Sequence, residues 1–135
     1  TFVLTDCSIV VNSVDLSDHC VQVEISMTRE DVADTAMGAT GVSRLPGLRY
    51  ESFTVTWRSD FAAAKVDATL APLYTGGTSH TVVVKPTSSA VGATNPTYTG
   101  TCYLLDFKPI AGSVGDIADV DTTHVVDGVI TRAVA

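Results

Sequence analysis

The chain has 135 residues; 45% are hydrophobic, only 17% are charged, and fifteen acids outweigh eight bases for a formal net charge of −7. A chain of this length suits one domain that buries about 68% of the surface its unfolded form exposes, so it needs no disulfide framework. The apolar share excludes a disordered tail, the acidity and the isolation of Lys65, Lys85 and Lys108 argue against a nucleic-acid-gripping module, and there is no apolar run of about 18 residues to span a membrane. Low charge fits either a surface partly covered by partner chains or the Thr/Ser/Ala-rich surface of a monomer.

Short β-rich runs separated by turn residues follow one another. Phe2–Val11 is rich enough in β-formers for a first strand; Asn12-Ser13 breaks it, and Asp15-Leu16-Ser17-Asp18 reads as a turn or a single helical turn. Val21, Val23, Ile25 and Met27 then alternate with Gln22, Glu24, Ser26 and Thr28, the period of a half-buried strand. A second alternation covers Tyr50–Arg58, with Phe53, Val55 and Trp57 inward and Ser52, Thr54, Thr56 and Arg58 outward. Between them, Arg29–Arg49 is far longer than an ordinary hairpin connection. It holds Gly38, Gly41, Pro46 and Gly47 together with apolar Met37, Val42, Leu45 and Leu48. Such a segment is expected to be an extended loop, either an arm that docks on another chain or a flap on its own domain.

One helix is predicted over Phe61–Leu73, capped by Ser59 or Asp60, with Ala62, Val66, Thr69, Leu70 and Leu73 on one stripe and Pro72 and Gly76-Gly77 ending it. Strands follow at Thr81–Lys85, Tyr98–Phe107 and Ile117–Val126, with a Ser/Thr/Ala/Gly loop over Thr87–Pro96. Asp127-Gly128 reads as a tight hairpin turn into a last strand, Val129–Val134. The sum is a mainly β domain over residues 1–135, an antiparallel β-sandwich or barrel with one flanking α-helix and a long inter-strand loop over 29–49.

Chemistry has no positive signal. Cys7, Cys20 and Cys102 are odd in number and lack a C-x-x-C spacing, which suits reduced structural thiols. His19, His80 and His124 are far apart and form no metal-binding motif. The acid groups Asp15/Asp18, Glu30/Asp31/Asp34 and Asp116/Asp119/Asp121 match neither an EF-hand loop nor, with so few aromatic sugar platforms, a glycosidase. There is no G-x-S-x-G elbow and no phosphate loop. No catalytic residue, cofactor or metal is assigned.

Several blocks in order carry a resemblance: Asp15-Leu16-Ser17-Asp18-His19, Thr35-Ala36-Met37-Gly38, Arg44-Leu45-Pro46-Gly47-Leu48, Ser59-Asp60-Phe61-Ala62-Ala63, Val66-Asp67-Ala68-Thr69-Leu70, Asn95-Pro96-Thr97-Tyr98-Thr99-Gly100 and Pro109-Ile110-Ala111-Gly112-Ser113-Val114-Gly115-Asp116. From Asp15 to Asp121 the chain resembles the major tail proteins, or tail tube proteins, of long-tailed siphophages. The resemblance implies two antiparallel sheets with a flanking helix, and a structural virion protein assembled in the host bacterial cytoplasm. It implies rings, usually of six subunits, stacked into a hollow tube that delivers the phage DNA. It implies partnership with tape-measure, tail-tip and tail-terminator proteins. It also implies that the long loop reaches the neighbouring ring, making Met37, Gly38, Gly41, Val42, Leu45, Pro46, Gly47 and Leu48 the inter-ring arm. Thr1-Phe2-Val3-Leu4 carries neither the basic region nor the long apolar core expected of a signal peptide, which also fits a start left by removal of an initiator Met or of a longer leader.

A tube that passes DNA without holding it needs an acidic or neutral polar wall, because a basic one would bind the phosphates. Gln22, Glu24 and Ser26, with Asp119 and Asp121, are the expected lumen residues; the other possibility is that they face outside solvent. An exported β-sandwich adhesin or carbohydrate-binding module is the alternative from another functional class, and the tube of a contractile injection machine a closer one.

Overall fold

The computed structural model describes every residue from Thr1 to Ala135. β1 (Ser8–Val11) and β2 (Val14–Asp15) form a small hairpin whose turn residues, Asn12 and Ser13, both have positive φ, 50° and 67°. That is the geometry whose twist matches paired strands. A single 3-10 turn, Ser17–His19, leads into β3 (Cys20–Ala33), followed by β4 (Arg44–Arg58), α1 (Val66–Gly76), β5 (His80–Lys85), β6 (Thr97–Lys108), β7 (Asp119–Val126) and β8 (Thr131–Ala133). The ladder before β2 is shorter than the sequence suggests: it starts at Ser8, and Phe2, Val3 and Leu4 are exposed.

All ladders are antiparallel, and the eight strands form one hydrogen-bonded sheet in the order β2-β1-β5-β6-β7-β4-β3, with β8 on β6. The sheet curls: Cys7, Val84 and Tyr98 from one side line grooves together with Cys20, Val23 and Ile25 from the other. Its concave face and α1 enclose one core. Ile9 and Val11, Phe53, Val55 and Trp57, Val82 and Val84, Cys102 and Leu104, and Val120 come from the strands; Val66, Leu70 and Leu73 come from the helix. The inward alternation predicted for Phe53, Val55 and Trp57 is therefore the centre of the core. Val23 and Ile25 are only partly buried, because β3 is an edge strand.

Three local expectations are corrected. The segment Arg29–Arg49 is mostly laddered rather than loop: β3 and β4 continue as one long hairpin through pairs Asp31–Pro46, Val32–Leu45 and Ala33–Arg44, and only residues 34–43 form the tip. Pro46 is tolerated because β7 pairs β4 only from Ser52 onward, so the missing N–H falls on a free edge. Gly47 is required for space, since a Cβ there would lie 3.0 Å from Glu30 Cβ and Val32 Cγ2.

The helix starts at Val66, not Phe61. Asp60 accepts a hydrogen bond from the Ala62 N–H at 2.9 Å, and Ala64 sits in the left-handed region at φ 59°, which no helix can run through. Pro72 does not end α1 but lies inside it; Gly77, at φ 62°, is the left-handed stop.

Finally, Asp127-Gly128 is a kink rather than a hairpin turn. β8 pairs with β6 (Thr97–Ala133, Thr99–Thr131) along the edge that β7 occupies further on (Cys102–Val126), so the chain keeps its direction. The Asp127 N–H donates to the Thr101 carbonyl at 2.8 Å, and Ile130 drops into the core.

Candidate functional surface

The convex face of the β3–β4–β7–β6 sheet is the candidate surface. Ladder register sets its composition row by row. Gln22 lies beside Thr56, Thr56 beside Asp121, and Asp121 beside Lys108. The next row is Glu24, Thr54, Thr123 and Asp106; the one after is Ser26, Ser52, Val125 and Tyr103. Arg58 beside Asp119 closes one end. The side chains on this face are exposed or half-buried. All five residues predicted from the sequence, Gln22, Glu24, Ser26, Asp119 and Asp121, thus share one face, although nearly one hundred residues of chain separate the two groups.

The face carries carboxylates at Glu24, Asp106, Asp119 and Asp121 against cations at Arg58 and Lys108, so its balance is acidic. Arg58 pairs with Asp119 at 2.8 Å, and the Thr56 hydroxyl donates to Asp121 Oδ1 at 2.9 Å. Threonines and serines fill the rest. This arrangement offers hydrogen bonds to water and little that would grip an anion.

The hairpin is the second feature. Met37 at its tip is fully exposed, and Val42, Leu45 and Leu48 are exposed at 63%, 52% and 70%. Gly38 turns the tip at φ 83°, and Gly41 stands in open space. The ladder is extended by the Asp34 N–H donating to Ser43 O at 2.7 Å, and Arg44 pairs with Asp31 across it. An ordered β-hairpin therefore projects apolar side chains into solvent, and β3 leaves one whole edge unpaired.

Beneath the surface, the fold brings together polar groups that sequence spacing did not reveal. His80 and His124 meet with Nε2 and Nδ1 2.7 Å apart, both buried. Thr122 donates to Val55 O and accepts from Trp57 Nε1–H at 3.0 Å; its other lone pair faces His124 Nε2 at 3.1 Å. That pattern requires His124 to carry its proton on Nε2 and His80 to donate from Nε2, both rings neutral. Burial, then the neighbouring His80, pushes His124 down to about 3, and burial lowers His80.

Glu51, with its side chain fully buried, accepts from the Ile130 N–H at 2.9 Å and pairs with Arg49, which also donates to Ile130 O; this clamp holds the kink between β7 and β8. His19 bridges Asp18 and Asp60 at 2.7 and 2.8 Å. Desolvation disfavours its charge, but the bonds to the two carboxylates prevail and raise its pKa. Asn95 organises the 87–96 loop by donating to Ser89 O and Ala90 O and accepting from the Thr87 N–H. Burial pushes the Cys20 thiol up to about 11 and Cys102 to about 12, so neither is a ready nucleophile at neutral pH.

No protein-family model matches the chain, and no curated protein matches it in sequence. Solved structures do match in fold. A chain of the SPP1 tail tube superposes with a TM-score of 0.77 at 14% identity, over 96% of this chain and 77% of that one. The fold is the tail-tube fold. A chain from the tail of an empty gene transfer agent particle, of C6 symmetry, matches with a TM-score of 0.67 at 17% identity, over 84% and 81% of the two chains. A chain of the sheath–tube complex of an extracellular contractile injection system, in its extended state, gives 0.74 at 10% identity over 100% and 93%. The tail-tube fold thus survives at identities this low, as expected when it rests on strand periodicity and a shared core more than on particular side chains.

Proposed function

We propose that this chain is a structural virion protein, the repeating subunit of a phage tail tube, which assembles into rings stacked around a bore that conducts DNA to the host cell. The observation that carries the reading is the continuous acidic and hydroxyl-rich face on a tail-tube fold, with Gln22, Glu24, Ser26, Asp119 and Asp121 in register on it. Turned inward in a ring, this face repels phosphate and keeps the DNA in water. The free β3 edge supports continuation of the sheet into the next subunit, which would pair backbone groups otherwise left to solvent. The hairpin carrying Met37, Val42, Leu45 and Leu48 is the arm to the neighbouring ring, and six subunits per ring is the expected closure. Tape-measure, tail-tip and tail-terminator proteins are the partners this role requires.

Electron microscopy of the purified protein tests the reading. Hollow filaments of even width are expected, and a reconstruction should place Glu24 on the inner wall. Dispersed particles at high concentration, or Glu24 on the outer wall, would overturn it.

A further inference from the structure

The acidic face contains two cations, and each has a carboxylate on the adjacent strand. Arg58 on β4 is 46% exposed, yet its Nη1 lies 2.8 Å from Asp119 Oδ1 on β7. Lys108 on β6 stands directly across the ladder from Asp121, whose carboxylate is also held by the Thr56 hydroxyl. Glu24 and Asp106, at the two ends of the neighbouring row, face threonines instead. Exposed ion pairs contribute little to stability, so folding alone does not account for this placement. A guanidinium left free would present a planar fork suited to a phosphate.

We infer that Asp119 and Asp121 mask Arg58 and Lys108, so that the face remains non-adhesive to a polyphosphate passing over it. This rests on the reading that the face lines the bore. It assigns the two aspartates a role different from that of Glu24: they cancel a specific cation, whereas Glu24 contributes only to the general negative field. Masking of Arg58 is local, because its guanidinium and the Asp119 carboxylate are in contact, whereas Asp121 offsets Lys108 only as its neighbour across the ladder. A contact pair is screened less by salt than a general field, which is lost beyond a Debye length, about 10 Å at 0.1 M salt.

The test is the amount of short duplex DNA that sediments with assembled tubes and resists nuclease. Asp119→Asn and Glu24→Gln each remove one negative charge per subunit, but only the first exposes a cation. Asp119→Asn tubes should retain about tenfold more DNA than wild-type tubes at low salt, with retention falling steeply as salt rises. Glu24→Gln should stay near wild type, and adding Arg58→Gln to Asp119→Asn should restore wild-type behaviour. Equal retention by Asp119→Asn and Glu24→Gln, or no rescue by Arg58→Gln, would overturn masking while leaving the bore assignment standing. A Glu24→Lys/Asp121→Lys tube separates the two ideas: if even this wall retains no protected DNA, the face does not line the bore and the underlying reading fails.

Discussion

Lowering the pH should weaken this fold through His124 before general acid unfolding sets in. In the native chain the ring is fully buried, its Nε2–H is committed to Thr122, and its Nδ1 accepts from His80. Charging the ring means taking that charge into a buried site, and it also sets the new Nδ1–H against His80, so the folded pKa falls to about 3. In the unfolded chain the imidazole returns to about 6.5. The folded pKa is depressed, so the stability it represents is complete above pH 6.5 and is lost as pH falls from there toward 3. The loss is at most about 1.4 kcal/mol per pH unit. Between pH 6.5 and 5.0 His124 alone then costs about 2 kcal/mol, a large part of a domain's usual margin, and His80 acts in the same direction. Urea unfolding of the unassembled chain from pH 7.5 to 5.0 reads this directly. His124→Gln, which still donates to Thr122, should be less stable at neutral pH by about 1–3 kcal/mol, but its stability should fall less steeply below pH 6.5. Equal slopes in the two proteins would refute the reasoning.

Four other outcomes follow from the same physics. His19 has the opposite sign: its folded pKa is raised, so its contribution is present below pH 6.5 and fades as pH climbs through the folded value; His19→Gln should cost more stability at pH 5.5 than at pH 9 in the same unfolding assay. Leu45→Asp with Leu48→Asp changes two exposed positions, so the melting temperature should hold while filaments disappear from micrographs; normal filaments would remove the hairpin from the assembly contact. Glu51→Ala strands Arg49 and the Ile130 N–H and should cost about 3–5 kcal/mol, with hydrogen exchange at Thr131–Ala133 accelerating first; unchanged exchange there would show that β8 is held by other means. Gly47→Ala forces the added methyl against Glu30 and Val32, and should loosen the hairpin by about 1–3 kcal/mol, seen as faster amide exchange in residues 31–33 and 44–45 with the core unchanged.

Much of this protein is legible in its residues one strand at a time. The alternation in Val21–Thr28 and Tyr50–Arg58 placed Gln22, Glu24 and Ser26 on one face and Phe53, Val55 and Trp57 on the other, because successive side chains of any extended strand point to opposite sides. The helix stripe of Val66, Leu70 and Leu73 and the stop at Gly77 were legible for the same local reason. The later start of that helix was not legible locally: Ala64 takes a left-handed conformation, and Asp60, which accepts from the Ala62 N–H, is held by His19 from a distant segment. Pairing register, by contrast, is a property of the whole sheet. It set Asp119 and Asp121 beside Arg58 and Thr56, brought His80 against His124 across forty-four residues of chain, and turned an apparent hairpin at Asp127-Gly128 into a kink clamped by buried Glu51. Periodicity belongs to the chain and requires only neighbours in sequence; which strands meet, and at what offset, is decided by the burial of one shared core, and only the folded molecule contains that information.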